Sequence, residues 1–268
     1  MREFTTILVE SEEKVIIVWL NRPEIHNAFN ETMISELIEC FEEINKLDNI
    51  RVVLLKGKGK SFCAGADLNW MRDVADYSYE ENYRESYQLS KCFHTIYTCR
   101  KPTIAQVHGV AIGGANGLLA ACDMAYCNHD TTFSLSEVKI GIIPACISPY
   151  VIKRVGEYAA RELMLTGRRI KGEEAESFRL VNRSVPLQEQ ESFIKSVIDK
   201  LKTSGPKAIE HCKNLIYNIS NKLTLDQALE ETARIIAEIR SSEEGQEGMR
   251  AFLEKSPPKW VEQGKSKK

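Results

Sequence analysis

The chain has 268 residues, of which 43 % are apolar and 28 % charged, a balance that suits a folded globular protein and excludes a long disordered one. Its 36 basic and 38 acidic residues leave a formal charge of −2, so no bulk positive field points to nucleic acid or an anionic membrane. The longest apolar runs, such as Val15 to Leu20, fall far short of the ~20 residues of a membrane span.

The first six residues lack an apolar secretion core, and Glu3, Glu10, Glu12 and Glu13 are unlike an organelle leader, so the cytoplasm is the expected compartment. Lys14 to Leu20 is rich in β-branched residues and predicts a strand. Asn30 caps a predicted helix whose apolar stripe is Met33, Ile34, Leu37, Ile38, Phe41 and Ile44. Arg51 to Lys56 predicts a second strand, followed by a loop from Gly57 to Lys60. A polar helix is expected from about Tyr79 to Thr98, ending before Pro102. Thr103 to Val107 then predicts a buried strand, and Gly113-Gly114 opens a small-residue helix through Ala121. Strand-like segments follow at Met124–Asn128 and Thr132–Leu135. This alternation, up to about residue 185, predicts an α/β layer structure with parallel pairing.

The remainder is helical. Apolar stripes recur at Phe193, Ile194, Val197, Ile198 and Leu201, and again at Leu225, Leu229, Ile235, Ile236 and Ile239. Pro206 suits a helix's first turn, and Thr224 with Gln227 forms a capping box. The division is expected at 1–190 and 191–268, with a frayed tail after Trp260. The eight cysteines include no C-x-x-C pair, and the five histidines (His26, His94, His108, His129, His211) show no ligand spacing. Reduced, mostly buried thiols and no metal site are therefore expected. His108, at a strand end, is expected to make a structural hydrogen bond.

Two glycine-bearing segments stand out: Ser61-Phe62-Cys63-Ala64-Gly65-Ala66-Asp67-Leu68-Asn69 and His108-Gly109-Val110-Ala111-Ile112-Gly113-Gly114-Ala115-Asn116-Gly117-Leu118. Neither matches a dinucleotide or phosphate-loop pattern. Small residues at such turns let a ligand approach the backbone, with N–H groups aimed at it. A third segment, Ser134 to Pro144, sets Glu137 between a strand and an apolar turn. A glutamate in apolar surroundings has a raised pKa suited to proton transfer; the alternative is a surface glutamate paired with Lys139.

Taken together, the order, spacing and wording of these segments resemble the crotonase (enoyl-CoA hydratase/isomerase) superfamily. So do Leu20-Asn21-Arg22-Pro23 with Asn27-Ala28, Leu165-Thr166-Gly167 and the region from Ala175 to Leu180. The resemblance implies an α/β spiral of ββα turns, followed by a helical C-terminal trimerisation region. It implies a coenzyme A thioester as substrate, no further cofactor, and a homotrimer or a hexamer built as a dimer of trimers. By alignment, Ala66 and Gly114 supply the two backbone N–H donors that hold the enolate. Glu137 is the implied general acid/base. The coenzyme A pocket falls to His26, Ala28 and Ala64, then to the Ala66-Asp67-Leu68-Asn69 loop and Gly114. Trp260 matches an aromatic that in relatives reaches the nucleotide of an adjacent subunit.

Two departures bear on the chemistry. Asn69 stands where a lysine is common, which puts a phosphate contact there in doubt. Many hydratases of the family carry an earlier glutamate three residues after the Gly114 position, and this chain has Gly117. One carboxylate leaves open double-bond isomerisation, hydration with Asn116 the nearest polar partner for a water, and a different enolate reaction altogether. The string from Glu137 to Tyr150, with Asp67 to Met71 and Tyr79 to Tyr83, looks like a bacterial branch of 3-methylglutaconyl-CoA hydratases, associated with leucine and isoprenoid breakdown. That branch also tends to carry Gly at the first glutamate position. Hydration of 3-methylglutaconyl-CoA is thus the first expectation, and Δ3,Δ2-enoyl-CoA isomerisation the second. A non-catalytic RNA-binding role, associated with one relative, is a third; interleaved charges and the negative total argue against it.

Overall fold

The computed structural model describes residues 3–261; apart from Val261, the expected frayed tail lies outside the described residues. Strand β1 (Ile7–Glu12) turns back antiparallel on β2 (Val15–Leu20), with Ile7 opposite Leu20. Every residue of β2 except Trp19 is buried, the pattern of a strand covered on both faces. Helix α1 (Glu31–Asn45) begins where Asn30 accepts a hydrogen bond from the Met33 N–H, and buries Met33, Leu37, Phe41 and Ile44. It returns the chain to β3 (Val52–Gly57), parallel to β2.

Two helices follow, α2 (Leu68–Ala75) and α3 (Tyr79–Tyr97). Then come β4 (Thr103–Val107), parallel to β3, and the short β5 (Val110–Ile112). Helix α4 (Ala115–Ala121) is buried throughout and leads to β6 (Met124–Asn128), parallel to β4, and to β7 (Thr132–Ser134). After α5 (Ser148–Thr166) come β8 (Ile170–Lys171), α6 (Gly172–Ser177) and β9 (Arg183–Val185). The six-stranded sheet runs β1-β2-β3-β4-β6-β9 and the three-stranded sheet β5-β7-β8. Helix-bearing crossovers connect the parallel strands of the larger sheet, as parallel pairing requires. The small second sheet lies along the same stretch of chain as the candidate site.

The chain forms two compact units: residues 1–99 with 103–194, and residues 100–102 with 195–268. The division falls inside α7 (Gln190–Thr203), after Ile194. The second unit continues through α8 (Pro206–Asn221), α9 (Leu225–Ser241) and α10 (Glu243–Leu253). Pro206 occupies the first turn of α8, and Thr224 and Gln227 form the capping box of α9. Within it, Arg100 grips Glu210 through two bonds of 2.6 and 3.0 Å. All eight cysteines are free, and six of them are buried. Burial pushes the thiols of Cys40, Cys63, Cys92 and Cys127 up to about 12. Among the described residues no helix is long and apolar enough to cross a membrane.

Candidate active site

The two glycine-bearing segments lie side by side. Phe62 N–H donates to the His108 carbonyl (2.8 Å), Cys63 N–H to that of Val110 (3.1 Å), and Ile112 N–H back to that of Cys63 (3.2 Å). These bonds make a parallel bridge between Cys63 and Ala111. Gly65, at φ 94°, approaches so closely that a Cβ there would stand 2.8 Å from the Ile112 carbonyl oxygen; only glycine meets both demands. His108 Nε2 bonds the Gly59 carbonyl at 3.0 Å, the structural role expected of it.

Phe29 joins the same corner. Its N–H donates to the Gly65 carbonyl (2.9 Å), and its carbonyl accepts from Asp67 N–H (3.0 Å). In this parallel pairing with Phe29, the intervening Ala66 N–H points away from its neighbour. Among the described residues it has no acceptor, and neither has Gly114 N–H. Both residues are half-buried. A side chain at Gly114 would run into the Phe29 ring, so the aromatic sets the small-residue requirement there.

Glu137 opens a 3-10 turn (Glu137–Ile140) just after β7. A Cβ on Gly113 would lie 3.4 Å from Glu137 Oε1, which sets the carboxyl beside the Gly113-Gly114 turn. Its Oε2 is buried without a hydrogen-bond partner. Burial pushes the carboxyl above its usual range, and its own backbone N–H offsets only part of that. Among the described residues Lys139 makes no ion pair with it, so the surface-pair alternative is set aside.

Position 117 is filled from outside. A Cβ on Gly117 would stand 2.8 Å from Phe93 Cε1 and Cζ, and closer still to Ile147 Cγ2. Both side chains are buried, and Phe93 meets Tyr150 with its centroid 6.1 Å away. Apolar core thus occupies the space into which a glutamate at 117 would grow. Asn116, the polar candidate for holding a water, is wholly buried, with its amide nitrogen on the carbonyls of Ala111, Gly113 and Ser134.

Of the expected coenzyme A residues, His26 is exposed in a left-handed turn (φ 55°). Its Nδ1 meets Ser61 Oγ (2.9 Å) and its carbonyl accepts from Ala64 N–H (2.9 Å). Ala28 is buried, with its carbonyl held by Arg22 Nη1 (2.7 Å). Asp67 caps α2 through the Asn69 N–H (2.8 Å) and pairs with Arg22 Nη2 (2.7 Å). Burial pushes its carboxyl up, but the Asn69 N–H and Arg22 outweigh this and hold it below the usual range. Leu68 and Asn69 are exposed. Trp260 belongs to the second unit, where its Nε1 donates to the Thr203 carbonyl (3.1 Å) and its ring lies against Gly248.

Sequence reasoning gave no role to Phe29, Arg22 and Asn27. Wholly buried Asn27 donates to the carbonyls of Lys58 and Ser61, each at 2.8 Å, and accepts from the Arg22 N–H. The available signal was that Arg22 and Asn27 stand in segments that carry the family resemblance.

The family model described as enoyl-CoA hydratase/isomerase matches residues 10–263. A putative enoyl-CoA hydratase from Thermus thermophilus is 35 % identical over 92 % of this chain and 97 % of its own. The mitochondrial Delta(3,5)-Delta(2,4)-dienoyl-CoA isomerase of Rattus norvegicus is 32 % identical over 96 % of this chain and 82 % of its own. Among solved structures, an enoyl-CoA hydratase from Shewanella pealeana superposes with a TM-score of 0.92 at 38 % identity, covering 96 % and 97 % of the two chains. The α/β architecture is therefore the crotonase fold, and the chain belongs to the enoyl-CoA hydratase/isomerase family of enzymes.

Proposed function

We propose that the protein adds water across the α,β double bond of an enoyl-CoA thioester, with Glu137 as its one general acid/base. The observation that carries this is a carboxyl whose buried Oε2 has no hydrogen-bond partner, beside a turn whose Gly114 N–H, like that of Ala66, lacks an acceptor among the described residues. Glu137 takes a proton from water as the water oxygen bonds C3. The double-bond electrons move through C2 onto the thioester oxygen, where the two N–H groups meet the charge as it develops. Glu137 then returns the proton to C2. A carboxyl pushed above its usual range suits both halves of that exchange. No cofactor enters beyond the coenzyme A of the substrate.

The likeness of the Glu137–Tyr150 string to 3-methylglutaconyl-CoA hydratases supports that thioester as the substrate. Its own terminal carboxylate would hold the water that no residue at 117 holds. Exposed Leu225, Leu229 and Ile236 on α9 support assembly as a trimer or a dimer of trimers. The apolar filling around Gly117 favours a second reading, in which Glu137 carries a proton between C4 and C2 of a 3-enoyl-CoA without water. Mass spectrometry of products in deuterated buffer separates them, using crotonyl-CoA, a 3-enoyl-CoA and 3-methylglutaconyl-CoA. A product heavier by one water, formed fastest from 3-methylglutaconyl-CoA, is expected. A product with no water added that carries deuterium at C2 or C4 overturns hydration in favour of isomerisation.

A further inference from the structure

Asn116 lies on the first turn of α4, fully out of solvent. Its terminal nitrogen donates to the carbonyls of Gly113 (2.9 Å), Ser134 (2.9 Å) and Ala111 (3.3 Å). Three acceptors around one atom identify it as the amide nitrogen, since the flipped amide would set oxygen against oxygen. Two of these carbonyls are satisfied without it. Gly113 O accepts from the Asn116 backbone N–H (2.9 Å), and Ser134 O accepts from Gly113 N–H (2.8 Å). Asn116 Oδ1, meanwhile, is buried with no partner, a cost that an apolar side chain would avoid. Rescue of orphan carbonyls therefore does not account for this side chain.

Its position does. The Gly113 carbonyl and the Gly114 N–H belong to one planar trans peptide and point in opposite directions. Between two glycines, the first at φ 55°, little in the chain itself resists a flip of that peptide. Asn116 holds the carbonyl through both its backbone and its side chain, which aims the N–H the other way. Hydrogen bonds accepted by the carbonyl also polarise the peptide and strengthen its donor end. The bonds to Ala111 and Ser134 tie the same amide to the middle of β5 and the end of β7, two strands that pair. Glu137 follows Ser134 by three residues.

We infer that Asn116 is a positioning residue: it locks the Gly113-Gly114 peptide with its N–H toward the thioester oxygen and registers that donor against the strand leading to Glu137. This rests on Gly114 being an enolate donor and adds the group that aims it.

The test uses Asn116→Leu and Asn116→Asp in the full chain, with butyryl-CoA labelled with ¹³C at the thioester carbonyl as an unreactive probe. Wild type is expected to shift the bound carbonyl stretch to lower frequency. In Asn116→Leu that shift is expected to shrink and kcat to fall about 10- to 100-fold, while the probe's Kd stays within about two-fold. In Asn116→Asp the buried carboxyl, protonated among carbonyls, donates one bond and restores part of both, and the rescue fades as pH rises. An unchanged stretch and turnover in Asn116→Leu overturns the inference, as does a turnover loss with the full shift retained. Failure of both variants to melt cooperatively or bind the probe also overturns it, making Asn116 a packing residue. An unshifted stretch in wild type removes the donor role of Ala66 and Gly114 itself, and is thereby distinguished from failure of the Asn116 role.

Discussion

Glu137 is held where a carboxylate is least comfortable. Burial pushes its pKa up in the folded protein, so the folded state holds its proton to a higher pH than the unfolded chain does. Stability therefore falls as pH rises from the ordinary carboxylate range through the raised value. Glu137→Gln removes that loss. It is expected to melt above wild type at pH 8, with the gain vanishing at pH 4, while turnover drops by at least about 100-fold and butyryl-CoA still binds. Near-wild-type turnover in that variant would remove Glu137 from the chemistry. With Glu137 as the base, the same raised pKa is expected to place the acidic limb of kcat/KM above the usual carboxylate range. Gly117 tests the opposite wall. A Cβ there already meets Phe93 at 2.8 Å, so Gly117→Glu is expected to cost about 1–3 kcal/mol through overpacking and to leave hydration no faster. A Tm equal to wild type would show that Phe93 and Ile147 give way.

At the scale of elements, the start of α2 carries the loop proposed for coenzyme A. Asp67 caps the helix and braces Arg22, which in turn holds the Ala28 carbonyl. Its lowered pKa means that its contribution is present above the unfolded carboxylate value and lost as pH falls through the folded one. Asp67→Ala is expected to cost about 1–2 kcal/mol and to raise KM more than it lowers kcat. The Tm gap from wild type should narrow in acid; a gap independent of pH would rule out the ionised pair. The elements legible in the sequence were those written as a continuous apolar run or as an apolar stripe at helical spacing. They include β2, β3 and β4, α1 with its Asn30 cap, and α9 with its capping box. Edge strand β1 escaped because only Ile7 is buried and Glu10 and Glu12 interrupt the run. Helix α2 has only eight residues, about two turns, too few to repeat a stripe. Strands β8 and β9 are two and three residues long, too short to register a period of two. Within the site, Glu137 and the two glycine segments were recognisable from wording. The plug at Gly117, the direction of the Asn116 amide and the wedge of Phe29 were not, because each depends on residues distant in the chain.

At the scale of the molecule, the second unit leaves a row of apolar side chains facing outward. On α9, Leu225 is 85 % and Leu229 72 % exposed, and Ile216 of α8 and Phe252 of α10 are also exposed. Scattered single leucines are ordinary on surfaces, whereas successive turns of one helix presenting them support the proposed contact face. The contact expected is with further copies of this chain, three or six in all. Sedimentation equilibrium should return that mass, and Leu225→Lys with Leu229→Lys should shift it to a smaller species with helical content unchanged. If the doubly substituted chain keeps the assembly, α9 is not its interface. Activity offers an independent reading of the same change. If Trp260 reaches the nucleotide of an adjacent subunit, as the family resemblance implies, dissociation should raise KM for acyl-CoA thioesters carrying the full nucleotide but leave KM for truncated pantetheine thioesters unchanged. An equal rise for both would place the loss in the acyl end of the site, and an unchanged KM for both would leave Trp260 serving its own chain alone.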